Sequence, residues 1–293
     1  MSIYPGVVAK TLNVGRCEVS YFDGGSDRCD GAPIVLIHGT GGRCSTHFFT
    51  LYPMLASRHR VIGIDLSDVD PDGQNELTIE SLSSQVLACL DSACASKPAL
   101  LVGYSLGAAV AVSAASRSPA SVAGLVLMNG WAKSDNLLRL RISQWQTLRA
   151  SGNMSALAET MILNVYSRAF LSARSWTDVE QMCEVYAVGP GSDRQMALNK
   201  VLDVSKHLEN VACPALVIGS TYDQLIPLSY SQELAGGIRD AAFAEVHCGH
   251  GSVTERPAEI FRLIDKFSRD MSIARAQAYF SDNSLNQLNV FSE

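Results

Sequence analysis

The chain reads as an α/β fold: a mostly parallel sheet of eight strands flanked by helices, with an inserted helical cap. Three observations predict it. Short apolar runs bounded by turn residues alternate with amphipathic helical patterns, as expected of strands covered on both faces. Two segments near the start alternate in polarity instead, as half-exposed edge strands do. Between Trp131 and about His207 the strand rhythm stops and helical patterns follow one another.

Taken in order, Val7–Val14 and Glu18–Phe22 end at Asp23-Gly24-Gly25, which predicts an antiparallel hairpin at the sheet edge. Central strands are predicted at Ile34–Ile37, Val61–Ile64, Ala99–Val102, Leu125–Met128, Ala215–Ile218 and Ala244–His247. Covering helices are predicted at Leu77–Leu90, with Thr78 as N-cap, and at Leu106–Arg117. A third runs from Pro257, with Ile260, Leu263, Ile264, Phe267 and Met271 at helical spacing. In the cap, Leu138, Ile142 and Trp145 fall at i, i+4, i+7. Ala156, Thr160, Leu163 and Val165 continue the pattern less cleanly, and Pro190-Gly191 interrupts it. The expected division is therefore a core of residues 1–130 and 208–293 with a cap of 131–207. Residues 272–293, rich in Ala/Gln and Asn/Ser, read as a short extra helix and a frayed end without chemistry. A helical insertion after a strand sits above the C-terminal sheet edge, where open α/β folds bind ligands. Trp131, Trp145, Trp176, Tyr166 and Phe170 are then candidates for packing or for lining a pocket.

Apolar residues make up 47% and charged residues 18% of the 293 positions, a globular balance with no apolar run long enough to span a bilayer. The net charge of −6 comes without a basic stripe, which argues against nucleic acid or an anionic membrane and for a small-molecule partner. Met1–Gly6 lacks the charged and apolar regions of a secretory signal, so a cytoplasmic location is expected. Cys17, Cys29, Cys44, Cys89, Cys94, Cys183, Cys213 and Cys248 show no C-x-x-C and no Cys/His cluster at zinc spacing. They read as reduced thiols, and neither metal nor cofactor is expected. Oligomeric state has no signature in the chain.

Chemistry concentrates at Gly103-Tyr104-Ser105-Leu106-Gly107, which follows the Ala99–Val102 strand and opens a small-residue helix. A serine on so sharp a turn stands clear of the sheet, provided its neighbours are small. Its hydroxyl is a poor nucleophile near neutral pH and needs a base, and the base needs a group to hold its tautomer. His250, in Gly249-His250-Gly251 after the last strand, is the candidate base. Asp223, after the Ala215–Ile218 strand, is the candidate acid, with Asp135 its competitor. Asp65 precedes Ser105 and reads as a loop-stabilising carboxylate. His247 reads as structural, and His59 and His207 have no evident partner. Cys248 reads as packing near the site. Acyl attack also needs two donors for the oxyanion: the backbone N–H of Leu106 and one from His38-Gly39-Thr40-Gly41-Gly42, assigned to Thr40. His38 reads as a loop-shaping residue.

These stations, with Thr221–Pro227, resemble the α/β-hydrolase superfamily over roughly residues 7 to 270. The resemblance implies the α/β-hydrolase fold and a serine hydrolase with Ser105, His250 and Asp223 as a triad. It implies cleavage of an ester, thioester or lactone of a small-to-medium hydrophobic substrate through an acyl-enzyme on Ser105. Relatives that eliminate acetate or transfer acyl groups, C–C bond hydrolases and ligand receptors share these motifs, and those readings stay open. One departure stands out: where the family often has D-x-P-G-x-G-x-S, this chain reads Asp65-Leu66-Ser67-Asp68-Val69-Asp70, an acidic loop expected to border the pocket.

Overall fold

The computed structural model describes residues 6–25, 31–69, 76–94, 97–185 and 192–271. Eight strands form one sheet: β1 Val8–Val14, β2 Cys17–Gly25, β3 Ile34–Ile37, β4 Arg60–Asp65, β5 Ala99–Tyr104, β6 Val122–Met128, β7 Ala215–Ser220 and β8 Ala241–Val246. Their order across the sheet is β1-β2-β4-β3-β5-β6-β7-β8. β1 pairs antiparallel with β2, and β2 with β4; every later pairing is parallel. Asp23-Gly24-Gly25, expected to end the hairpin, instead continues β2 and pairs with Ile62, Val61 and Arg60. Arg60 holds that end through Asp23, at 2.9 Å. β8 begins three residues before the predicted strand and stops at Val246, so His247 lies outside it. Its burial is mixed, which left only its last residues looking like a core strand.

The helices in chain order are α1 Cys44–His47, α2 Leu51–Ala56, α3 Ile79–Ala93, α4 Leu106–Arg117, α5 Asn136–Ala150, α6 Met154–Val165, α7 Arg168–Ser172, α8 Trp176–Val185, α9 Ser192–Val201, α10 Ser205–Leu208, α11 Leu228–Gly236, α12 Ser252–Glu255 and α13, residues 257–271. Thr78 caps α3, accepting from the Ser81 N–H, and the Ser81 side chain answers the Thr78 backbone. Successive strand residues face opposite ways, and this alternation divides the core. Val35, Ile37, Ile62, Ile64, Leu101 and Leu127 pack under α3 and α4. Ile34, Leu36, Val61, Leu100, Val102 and Met128 pack with Phe48, Leu51, Ile260 and Ile264 on the other side.

Helices α5 to α10 occupy the connection from β6 to β7. Its two ends are tied together: the Ser134 N–H donates to the Leu202 carbonyl, the Val204 N–H to the Ala132 carbonyl, and Lys133 pairs with Asp203 at 2.8 Å. The apolar faces of α5, α6 and α9 join the α3/α4 side of the core through Leu138, Ile142, Trp145, Leu157, Met161 and Met196. The buried stripe of α6 is Leu157, Ala158, Met161, Ile162 and Val165, whereas Leu163, expected on it, is exposed. Pro190-Gly191 and residues 272–293 lie outside the described residues.

Candidate active site

The turn from β5 into α4 is tight. Ser105 has φ 56° and ψ −121°, a region that costs a non-glycine residue about 1–3 kcal/mol and persists only where the surroundings enforce it. They do so here by close approach. A Cβ on Gly107 would lie 2.1 Å from the Ile37 carbonyl oxygen, and one on Gly103 would lie 2.3 Å from the Gly107 oxygen. Only glycine lets α4 press this closely on β3 and β5.

The three side chains singled out in the sequence form one hydrogen-bonded line. Ser105 Oγ lies 3.0 Å from His250 Nε2, and His250 Nδ1 lies 2.7 Å from Asp223 Oδ2. All three residues are buried. The other oxygen, Asp223 Oδ1, accepts the N–H groups of Leu225 and Ile226 at 2.8 and 2.7 Å, so the loop after β7 pins the carboxylate. A carboxylate only accepts, so Nδ1 is the protonated nitrogen and Nε2 is left to accept from the Ser105 hydroxyl. Asp135 is placed elsewhere: it caps α5 through the Leu138 N–H.

The loop after β3 has its amides assigned one by one. Gly39 N–H donates to His47 Nδ1, Gly41 N–H to Gln195 Oε1 and Gly42 N–H to the Gly39 carbonyl. Among the described contacts the Thr40 N–H has no acceptor, and neither does the Leu106 N–H at the start of α4. His38 shapes the turn as expected: it accepts the Leu66 N–H at Nε2 and its Nδ1 donates to the Gly39 carbonyl. Asp65 likewise accepts the Cys44 N–H at 2.7 Å. Burial, reinforced by His38 and His250 nearby, holds His47 down at about 3, so it is a neutral imidazole.

Several positioning residues escaped the sequence reading. Asn129, at the end of β6 with φ 50°, donates to the His250 carbonyl at 2.6 Å and to Ser252 Oγ, and accepts from Ser220 Oγ. Tyr104 OH donates to the same His250 carbonyl at 3.0 Å, and its ring packs 5.3 Å from the imidazole. The one signal for Asn129 was its residue type, since Asn tolerates positive φ better than other side chains. Gln195 and Asn199 lie four apart on α9. Gln195 holds Gly41, and Asn199 Nδ2 donates to Thr40 Oγ1 at 2.7 Å. Glu255 joins the His250 loop to the end of α6, accepting the N–H groups of Gly249 and Ser167.

His59, His207, His247 and Cys248 have roles in packing and hydrogen bonding. His59, which had no evident partner, pairs with buried Asp265 at 2.9 Å, and His207 meets Ser116 at 3.1 Å. His247 is exposed and contacts Thr221. Cys248 lies 3.3 Å from Ser220 Oγ, and burial pushes its thiol up to about 12, away from thiolate chemistry.

Over Ser105 lies a cavity of about 50 Å³ with Trp131, Leu138, Ile142, Trp145, Met161 and Val165 in its wall and Thr40, His47, Asn199, Leu225, Ile226 and His250 around the serine. Trp131 and Trp145 therefore line the site. Trp176 is exposed, and Tyr166 stacks on Phe170 at 4.7 Å outside the cavity. Residues 65–69 of the acidic loop, expected to border the pocket, are not in its wall; Asp68 meets Arg194 through its carbonyl instead. Asp70 lies outside the described residues.

A strand-turn-helix serine at the C-terminal sheet edge, with a histidine and an aspartate delivered by the loops after β8 and β7, is the arrangement of one large enzyme class. The chain belongs to the Alpha/beta hydrolase family, whose profile matches residues 34–263. Among its relatives is the pyrrolizixenacetamide deacetylase of Xenorhabdus hominickii, 30% identical over 262 residues that cover 87% of this chain and 96% of that protein. Another is a RutD protein of Variovorax paradoxus (strain S110), whose name provisionally assigns carbamate hydrolysis. It is 29% identical over 252 residues, 82% of this chain and 93% of the relative. The fold also matches MGS-M2, an alpha/beta hydrolase enzyme from a Medee basin deep-sea metagenome library, with a TM-score of 0.78, 22% identity and coverage of 88% and 96% of the two chains. The protein is a hydrolase of this family. Among the described residues no helix is long and apolar enough to cross a membrane.

Proposed function

We propose that Ser105 is the nucleophile of an acyl hydrolase acting on a compact, largely apolar substrate. The observation that carries this reading is the Ser105–His250–Asp223 line at 3.0 and 2.7 Å, buried beneath an apolar cavity. His250 takes the Ser105 proton as Oγ attacks a carbonyl carbon, and Asp223 stabilises the imidazolium and keeps its Nδ1 protonated. The backbone N–H groups of Thr40 and Leu106 receive the developing oxyanion. A pair of this kind contributes strongly because the donors are already in place, and losing one costs about 3 kcal/mol of transition-state stabilisation. His250 returns the proton to the leaving group, and water activated by the same ring clears the acyl-enzyme. The mechanism draws only on these groups and water.

The acyl side of the substrate is short. A cavity of about 50 Å³ has room for a few water molecules, at roughly 10–15 Å³ of such volume each, which suits a short acyl group. A deacetylase among the relatives agrees with that size. The test is intact-mass analysis after reaction with a fluorophosphonate. The wild-type chain is expected to gain one adduct, on Ser105, and Ser105→Ala to gain none and to lose at least 1,000-fold in ester turnover, of the order set by loss of a triad member. Labelling or unchanged turnover in Ser105→Ala would overturn the assignment.

A further inference from the structure

The imidazole of His47 lies beside the proposed nucleophile. A Cβ built on Gly39 would be 2.9 Å from Ser105 Cβ and 3.5 Å from His47 Cε1, so one small gap separates the ring from the serine. A Cβ on Gly42 would fall 2.2, 2.4 and 2.5 Å from His47 Cε1, Nδ1 and Nε2, so glycine at that position is what leaves room for the ring. The Tyr104 ring packs nearly perpendicular to it at 5.2 Å. Its tautomer is fixed as well. Nδ1 accepts the Gly39 N–H at 3.1 Å, so the proton sits on Nε2. Among the described residues Nε2 has no hydrogen-bond partner, and it is not one of the unpaired side-chain atoms that are fully buried, so it reaches open space. His47 is half-buried and lines the cavity over Ser105. A neutral N–H donor with no partner in the protein therefore borders the space in which the acyl group would react.

We propose that His47 Nε2–H is a third donor to the oxyanion, a side-chain group added to the backbone N–H groups of Thr40 and Leu106. The inference rests on Ser105 as nucleophile. As Ser105 Oγ bonds to the carbonyl carbon, the π pair of the C=O moves onto its oxygen and the Oγ proton passes to His250 Nε2. The pair returns when the C=O re-forms and the leaving group departs with that proton. In a cavity of about 50 Å³, an oxygen on the carbon bonded to Ser105 lies close to the wall on every side. A neutral donor suits this place. His250 becomes an imidazolium as the oxyanion forms, and a second charged ring would oppose it; burial and the nearness of His38 and His250 keep His47 uncharged. The bond from Gly39, the residue before Thr40, ties the imidazole to the loop that carries the backbone donor. A donor held in place and shielded from water stabilises developing charge without having to reorganise.

Two variants separate the two ring nitrogens. His47→Asn sets an amide oxygen near the place of Nδ1, which keeps an acceptor for Gly39 and removes the donor. His47→Gln sets an amide N–H near the place of Nε2 and gives up that acceptor. With 4-nitrophenyl acetate, His47→Asn is expected to lose at least about 10-fold in kcat with KM within about 3-fold of wild type, the sign of an interaction made only in the transition state. His47→Gln is expected to turn over at least about 5-fold faster than His47→Asn, because it restores a donor. A residue that only shapes the loop gives the reverse order, so His47→Asn equal to or faster than His47→Gln overturns the inference, as does a loss confined to KM. A measurement on the wild-type chain decides the matter should either variant fail to fold. Trifluoroacetone adds to a serine nucleophile as a hemiketal whose oxyanion mimics the intermediate. Once ¹⁹F NMR shows the adduct, the His47 Nε2–H proton in ¹⁵N-histidine-labelled protein is expected to move downfield, as a donor to an anion does; an unmoved resonance overturns the inference. Fluorophosphonate labelling keeps the two claims apart: a wild-type chain that takes no label fails as a serine nucleophile, whereas a labelled chain with the reversed order of variants fails only the His47 assignment.

Discussion

His47 accepts the Gly39 N–H at Nδ1 and must therefore carry its proton on Nε2, in the wall of the cavity. Its neutrality has a consequence for stability. The ordinary histidine value is 6.5, and burial holds His47 at about 3 in the folded chain. Between those values the unfolded state binds a proton that the folded state does not, so stability falls as the pH drops from 6.5 towards 3 and levels off below it. Burial lowers His38 as well, in the same direction. His47→Gln removes one of these groups, and its stability is expected to depend less on pH between about 6 and 4, by up to about one proton of linkage. Thermal melts across that range check it, and equal slopes for the two proteins would refute the assignment. At this scale the sequence was informative where residue type and chain order agreed, as for Ser105, Asp223 and His250. It was silent on Asn129, whose three contacts with Ser220, Ser252 and the His250 carbonyl join segments about 90 to 120 residues apart in the chain.

Elements were legible in proportion to their burial. Strands β3, β5 and β7, buried along their whole length, stood out as apolar runs, and α3 was legible from its Thr78 cap and periodic face. β8, at the sheet edge, and the far end of β2, next to the edge strand β1, were not, because partial exposure removes the apolar contrast on which such reading depends. The turn from β5 to α4 was readable because close approach permits only glycine. Gly107→Ala puts a methyl group 2.1 Å from the Ile37 oxygen and 2.8 Å from the His38 oxygen, and backbone on both sides cannot yield cheaply. The expected result is a stability loss of about 1–3 kcal/mol with β3 forced away from α4. The midpoint of urea unfolding measures it, and a midpoint equal to that of wild type would show that the contact is not tight.

For the molecule as a whole, the sheet supplies the proposed reacting groups and the inserted helices supply the space above them. The core under α3 and α4 runs without a break into α5, α6 and α9, so the wall over Ser105 belongs to the same packed unit as the sheet. A wall of that kind does not yield readily to longer acyl chains, since overfilling a packed site costs about 1–3 kcal/mol. kcat/KM is accordingly expected to fall at least 10-fold from 4-nitrophenyl acetate to 4-nitrophenyl hexanoate; equal or rising values along the series would refute the short acyl site. The amino-acid sequence by itself determined the α/β architecture, the strand-turn-helix at Ser105 and the order of Ser105, Asp223 and His250, because each is written in local patterns of polarity, glycine and turn residues. Only the tertiary structure decided which amides of the Gly39–Gly42 loop are already engaged, which aromatic residues line the cavity, and that Gln195 and Asn199 reach back some 154 and 159 positions to hold that loop. Those contacts arise when an amphipathic helix folds over a sheet edge, and a pairing between residues so distant in the chain leaves no periodicity for the sequence to display.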